Sequence, residues 1–266
     1  MARRLALITG ASAGIGAAFA RIYAAHGYDV ALTARRADRL EQLASEISLR
    51  FGVEALTVPA DLAAPGGVEA MLAGVEEQGR VVDALINNAG YGLPGAYSHT
   101  TWTDQAAFLQ LMVTAVCETT HRVLPGMVER RFGRIVNVAS VAGMVPGAAG
   151  HTLYAASKSF LVKFSQSLHL ENLSTGVHVS ALAPGFTFTE FHDVNGTREQ
   201  TQGSTPPWMW LGADEVAAAG YEAAEANRPV CVTGAPNKAI VALAKILPDD
   251  WALALIASQQ NRFRKV

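Results

Sequence analysis

Leu5-Ala6-Leu7-Ile8-Thr9-Gly10-Ala11-Ser12-Ala13-Gly14-Ile15-Gly16-Ala17-Ala18-Phe19-Ala20 is the stretch on which the fold turns. A short apolar run without polar alternation reads as a strand buried on both faces, and the residues after Gly16 are good helix formers. Between them the glycines fall in the spacing Gly-x3-Gly-x-Gly. Such a turn lets backbone approach a pyrophosphate at a helix N-terminus, where free N–H groups and the helix dipole favour an anion. The glycines alone also fit an ordinary strand-to-helix turn. Their placement directly between a strand and a helix points to a bound dinucleotide, with Gly10, Ser12, Ala13, Gly14, Ile15 and Gly16 against it.

Outward from this turn the same rhythm repeats. Short apolar runs are predicted as strands at Leu5–Thr9, Asp29–Thr33, Glu54–Pro59, Ala84–Asn87, Gly133–Ala139, His178–Ala183 and Val230–Thr233. Helical patterns lie between them, near 14–26, 37–51, 67–78, 102–130, 153–174 and 213–226, with short helices after Pro236. Strand and helix in alternation predict βαβ units, hence an α/β fold with a parallel sheet in one domain spanning 1–266. Ligands of such sheets collect beyond the carboxyl ends of the strands, so function is expected in the loops that follow them. The segment from Glu190 to Gly212 has little periodicity and contains Gly196, Gly203 and Pro206-Pro207, which marks a covering loop.

Composition narrows the classes. Of 266 residues, 50% are hydrophobic and 17% charged, enough for a large core without a metal or disulfide staple. A net charge of −2 provides no field to hold a nucleic acid. Cys117 and Cys231 are too few and too far apart for a disulfide framework or a Cys-x-x-Cys site, so a reducing cytoplasm is the expected home. The apolar start stops at Thr9-Gly10, which does not read as a signal peptide. Lys245 and Pro248-Asp249-Asp250 interrupt the apolar stretch 239–257, so no transmembrane helix is expected. His99, His121, His151, His169, His178 and His192 form no metal-ligand spacing, and no metal is expected.

The second strand chooses the cofactor. It ends at Thr33-Ala34-Arg35-Arg36. There an acid would accept the ribose hydroxyls of NAD, but Ala34 offers no carboxylate. Arg35 and Arg36 offer guanidinium forks suited to a 2′-phosphate, so NADP(H) is the expected cofactor.

Further on, Asn87-Asn88-Ala89-Gly90 follows the fourth strand, Ser140 the fifth, and Pro184-Gly185 the sixth, while Tyr154-Ala-Ala-Ser-Lys158 opens a helix. With the glycine loop, these residues resemble the short-chain dehydrogenase/reductase family across roughly residues 5–190. The resemblance implies a Rossmann-type doubly wound fold with a seven-stranded parallel sheet and a nicotinamide cofactor. It also implies a homodimer or homotetramer built on the two long middle helices. In that family Asp61 with Leu62 looks like the adenine contact, and Asn87, Ala89 and Gly90 like the floor beneath the ribose. Pro184, Gly185, Thr187 and Thr189 look like the nicotinamide end, and Lys158 like the holder of the nicotinamide ribose beside Tyr154. From the residues alone, Asp61 also reads as a helix cap and Asn87-Asn88 as a turn.

Carbonyl reduction needs a hydride from the nicotinamide and a proton from a positioned acid. Tyrosine titrates near 10, and bringing it toward 7 takes roughly 4 kcal/mol of preferential phenolate stabilisation. Tyr154 and Lys158 lie one helical turn apart, so the ammonium is expected to lower the phenol. Ser140 is expected to hydrogen-bond the substrate oxygen as charge develops. Ser140 and Tyr154 are 14 residues apart, with the loop 143–151 absorbing the length.

One position departs from the family pattern. Met112 stands where the resemblance places an asparagine that holds a water in a proton relay and accommodates a helix kink. A thioether donates no hydrogen bond. Three readings follow: a relay through other waters or Thr114, a slow enzyme, or a nonenzymatic NADP(H)-binding sensor or scaffold. Met144, Val145, Phe186, Phe188, Phe191, Trp208 and Trp210 give the expected pocket an apolar character, favouring a hydrophobic small-molecule carbonyl or alcohol. Without an obvious basic patch an acyl-carrier-protein substrate is disfavoured, although Arg130 and Arg131 bear on it. Arg262, Arg264 and Lys265 beside the apolar C-terminal stretch raise a membrane-surface role.

Overall fold

The computed structural model describes residues 3–191, 195 and 205–263. The first strand, β1 (Leu5–Thr9), shows how the sheet is covered: Ala6 and Ile8 point to one face, Leu5 and Leu7 to the other. Around it run β2 (Asp29–Thr33), β3 (Ala55–Thr57), β4 (Ala84–Asn87), β5 (Gly133–Val138) and β6 (Val177–Ala183). Two short strands, β7 (Thr187–Phe188) and β8 (Leu211–Gly212), precede the last, β9 (Val230–Val232).

The main sheet has seven parallel strands in the order β3-β2-β1-β4-β5-β6-β9. Strand order reverses between β1 and β4, and the crevice there is where such folds bind ligands. On one face lie α1 (Gly14–Ala25), α2 (Ala37–Phe51) and the later α7 (Ala213–Glu225), which bury Phe19, Tyr23, Leu40, Ile47 and Val216 against Ile8, Leu32 and Val136. On the other lie α3 (Gly67–Glu76), α5 (Ala115–Glu129) and α6 (Thr152–Glu171), with Met71, Met127 and Leu168 against Leu5, Leu85 and Val179. The architecture is that of a doubly wound Rossmann-type sheet.

Four sequence expectations shift. The strand expected over Glu54–Pro59 is reduced to Ala55–Thr57, since β3 lies at the sheet edge with pairing on one side only. The helix expected over 102–130 is interrupted: α4 (Trp102–Leu109) passes into a π-helical turn over Gln110–Thr114 before α5 begins. After Pro236 the helices are longer than expected, α8 (Ala235–Ile246) and α9 (Asp249–Phe263), separated at Pro248. The base of the expected covering loop is a second, two-stranded sheet in which Thr187 pairs with Leu211 and Phe188 with Gly212. Trp210 is buried there, 5.0 Å from the ring of Phe188 and 5.4 Å from that of Phe186, whereas Trp208 is exposed. Trp210 therefore anchors the loop's base. Most of the loop itself, including His192, Gly196 and Gly203, lies outside the described residues.

A buried polar chain ties the sheet to its helices beneath the site. Asn87 donates to Asn137 Oδ1 at 2.8 Å and to Thr120 Oγ1 at 3.2 Å, and Asn137 donates to Ser165 Oγ at 2.9 Å. Each buried polar group thus meets a partner, which offsets its desolvation.

Candidate active site

The glycine loop is shaped by close approaches that leave no room for a side chain. Gly10 and Gly14 have φ of +67° and +55°, a region costly to any residue with a Cβ. A Cβ on Gly16 would lie 2.3 Å from the carbonyl oxygen of Gly10. Asn88 locks the loop to β4: its amide group donates to the carbonyls of Thr9 (2.9 Å) and Gly10 (3.2 Å). The backbone N–H groups of Asn88 and Ala89 both donate to Thr9 Oγ1 at 3.0 Å. Ser12, Ala13, Gly14 and Ile15 then enter α1, whose first N–H groups receive no side-chain cap from Ala13.

Beside this turn is a cleft of about 580 Å³ lined by Ser12, Ala13, Gly14, Arg39, Thr189 and Glu190, among others. Arg36 reaches into this region, donating to Ser12 Oγ at 3.0 Å and to Glu190 at 3.0 Å, and Arg39 also donates to Glu190. Arg35, exposed just after β2, acts by its charge on the phenol of Tyr91. Thr189 packs on Gly14, whose hypothetical Cβ would lie 2.9 Å from the threonine Cβ.

Several expected cofactor residues are used locally. Asp61 Oδ1 accepts from the N–H of Ala63 at 3.0 Å, which caps the turn before α3, and Leu62 is buried. Asn87 turns its side chain into the core, so only its backbone borders the crevice. Ala89 is pinned to Thr9, and Gly90 lies against the sulfur of Met112. The carbonyl of Pro184 accepts from the N–H of Val141 at 3.0 Å. Gly185 sits so close to Asn237 that a Cβ would meet its amide nitrogen at 2.3 Å, and Thr187 Oγ1 donates to the carbonyl of Gly185.

Beyond β5 and β6 the three expected catalytic side chains meet. Ser140 Oγ accepts from the N–H of Ala142 at 3.1 Å, capping a 3-10 turn over Val141–Gly143. The same hydroxyl donates to the carbonyl of Pro184 at 3.5 Å and is near enough to Tyr154 to oppose the upward push of burial on the phenol. Lys158 Nζ is buried, donates to the carbonyl of Val138 at 2.7 Å, and lies 5.7 Å from the Tyr154 ring centroid. The rings of His151 and Phe191 flank Tyr154 at 5.9 and 5.8 Å. Asn195 reaches across to accept from the N–H of Gly92 at 2.9 Å.

Electrostatics differ from the sequence expectation. Burial pushes the Tyr154 phenol above its ordinary value, against a smaller opposing pull from the Ser140 hydrogen bond. Burial likewise lowers the Lys158 ammonium to about 8. The phenol is thus raised where the sequence expectation has the lysine lower it: burial is the leading influence on both groups, and Lys158 Nζ is turned to the backbone carbonyl of Val138.

Met112 is 2% exposed within the π-helical turn, its thioether against Gly90. The irregular helix is thus kept without a hydrogen-bonding residue at that position.

Sequence reading missed Asn88 as the loop's pin, Arg39, Glu190 and Gly143. Arg39 was legible, since Arg36 and Arg39 are three apart at the start of a helix and share a face. Gly143 was not: a Cβ there would lie 2.4 Å from the carbonyl carbon of Lys158. Gly143→Ala is therefore expected to destabilise the fold by about 1–3 kcal/mol and to displace Ser140 from Tyr154. Thermal melting and kcat are expected to fall together, and a variant with unchanged kcat contradicts that coupling.

The glycine turn at the switch point, with Ser140, Tyr154 and Lys158 gathered beyond the strand ends, is the arrangement of a doubly wound oxidoreductase. The model of the family "short chain dehydrogenase" matches residues 4–200, and the chain belongs to that family. It is 40% identical over 186 residues to the sulfoacetaldehyde reductase of Chromohalobacter salexigens, a match covering 69% of this chain and 72% of that protein. It is 35% identical to nodulation protein G of Rhizobium sp. (strain N33), covering 87% and 93%. Among solved structures, a short-chain dehydrogenase from Sphingobium yanoikuyae in complex with NADPH superposes with a TM-score of 0.78 at 30% identity, covering 99% of this chain and 96% of that one. Family membership makes the chain an oxidoreductase of the type that interconverts carbonyls and alcohols.

Proposed function

We propose that this protein is an NADP(H)-dependent oxidoreductase that interconverts a ketone or aldehyde and its alcohol on a hydrophobic small molecule. The observation that carries the reading is the placing of Lys158 Nζ 5.7 Å from the Tyr154 ring, with Ser140 just after β5 acting on the same phenol.

The residues present fit the cofactor. The glycine loop offers backbone at which a Cβ would clash, and an uncapped α1 N-terminus suited to a pyrophosphate. Ser12, Arg36 and Arg39 provide hydroxyl and guanidinium donors for a 2′-phosphate, and Ala34 offers no competing carboxylate. The NADPH complex of the Sphingobium protein supports the same choice. Lys158 would hold the nicotinamide ribose, and Thr189 the nicotinamide end. When bound, the cofactor supplies or accepts the hydride.

The chain's own residues do the rest. Ser140 orients the substrate oxygen and donates to it as negative charge grows. Tyr154 delivers the proton in reduction and takes it back in oxidation, and burial keeps the phenol protonated at neutral pH, the form that reduction requires. Phe191 and His151 pack on either flank of the tyrosine ring and hold it in place. A second cleft of about 390 Å³, between the loop after Gly143 and the α8–α9 pair, is lined by the apolar side chains of Met144, Val145, Pro146, Ala244 and Leu253 together with the carboxylate of Asp249.

The test is oxidation of NADPH and NADH, followed by absorbance, across a panel of apolar ketones and aldehydes, with Met112→Asn alongside. Wild type is expected to turn over with NADPH in preference to NADH. Met112→Asn is expected to raise kcat by up to about tenfold, a small part of what general acid–base catalysis contributes, with the KM for NADPH unchanged. Turnover by neither chain rejects the reading in favour of a binding protein.

A further inference from the structure

Three consecutive residues after β7 each touch a different part of the site. Thr189 packs on Gly14 of the cofactor loop, Glu190 bonds to both Arg36 and Arg39, and Phe191 flanks the Tyr154 ring at 5.8 Å. Arg36 simultaneously donates from its other terminal nitrogen to Ser12 Oγ at 3.0 Å. Its guanidinium thus spans the rim of the cleft, one end on the glycine loop and the other on a carboxylate.

We propose that Glu190 occupies the 2′-phosphate subsite as an internal anion, and that a 2′-phosphorylated nucleotide must displace it, which makes Glu190 the residue that sets the discrimination between phosphorylated and unphosphorylated cofactor. This rests on the NADP(H) reading above.

The physical reason is competition for one set of donors. Arg36 and Arg39 carry two positive charges, and Glu190 already neutralises one of them. A phosphate monoester brings roughly 1.5 to 2 negative charges, so it cannot share a guanidinium with a carboxylate at 3.0 Å without repulsion. The pair is half exposed, so the contact is weak enough to be exchanged for a stronger, doubly charged partner. Because Glu190 lies between Thr189 and Phe191, its release also frees the residue that covers the catalytic tyrosine. A nucleotide without the phosphate leaves the latch in place.

The experiment is calorimetric titration of the full chain with 2′,5′-ADP and with 5′-ADP, in wild type and Glu190→Gln. The expected result is that Glu190→Gln binds 2′,5′-ADP about two- to fivefold more tightly, the scale of an exposed ion pair, and binds 5′-ADP unchanged. Wild-type preference for 2′,5′-ADP with no gain in the variant overturns the latch and leaves the cofactor reading standing, and so does a loss of 2′,5′-ADP affinity. No preference in either protein overturns both. A second readout uses wild type alone. Amide hydrogen exchange across 189–191 is expected to rise with 2′,5′-ADP and not with 5′-ADP, and equal exchange contradicts the displacement.

Discussion

Tyr154→Phe is expected to lower kcat by about 10²–10⁴-fold, the range that a positioned general acid contributes, with the Kd for NADPH changing little. The change removes one oxygen from a ring that stays packed between His151 and Phe191, so the enclosure survives. What disappears is the phenol hydroxyl that the proposed mechanism uses as proton donor. Steady-state kinetics in the reducing direction, with NADPH binding followed by fluorescence, separate the two quantities. Retention of turnover sinks the mechanism, and parallel loss of binding and turnover shows that the hydroxyl serves architecture.

Lys158→Met is expected to abolish measurable turnover and to make the protein more stable at neutral pH. Burial depresses the ammonium from its ordinary 10.5 to about 8, so at pH 7 the fold carries a charged amine in a dry site at a cost of roughly 3 kcal/mol. Methionine fills a similar volume without the charge. Leaving the Val138 carbonyl without its donor returns about 1–3 kcal/mol of that gain. The net expectation is about 1 kcal/mol, or roughly 2–4 °C in the melting temperature of a chain this size. The pH dependence identifies the cause. Between pH 8 and 10.5 the unfolded lysine holds a proton that the folded one has released, so the wild type gains stability as pH rises. The advantage of the variant is therefore full below pH 8, is cancelled within about one pH unit above it, and reverses toward pH 10.5. Melting curves at pH 7 and pH 10 test this, and a pH-independent difference rules out the buried charge as its source.

Together these variants separate chemistry from architecture at one site. In the proposed mechanism Tyr154 serves the reacting oxygen and costs the fold little, whereas Lys158 strains the fold to be present. A destabilising charge retained at a reactive site is the pattern expected where function, not stability, fixes the residue.

Much of this was written in the chain. The alternation of short apolar runs with helical patterns dictated a doubly wound parallel sheet, because a strand covered on both faces must be apolar throughout. The glycine loop was readable because Gly10, Gly14 and Gly16 sit where backbone conformation or close approach excludes a Cβ. Ser140, Tyr154 and Lys158 were legible from order and spacing, and the structure brings them together. The interruption of the long helix at Gln110–Thr114 was not legible as a π turn, since its residues are ordinary helix formers.

The sequence determined the fold, the family and the inventory of reactive groups, since these follow from local periodicity and short spacings along one chain. Tertiary structure alone decided how those groups are used. Glu190 lies 154 residues from Arg36, yet the two share a hydrogen bond. Gly143 matters because α6 passes within 3 Å of where its side chain would be. Tyr154 and Lys158 are governed by desolvation, which depends on every element packed around them. Burial and long-range pairing are properties of the assembled fold, so no local pattern encodes them.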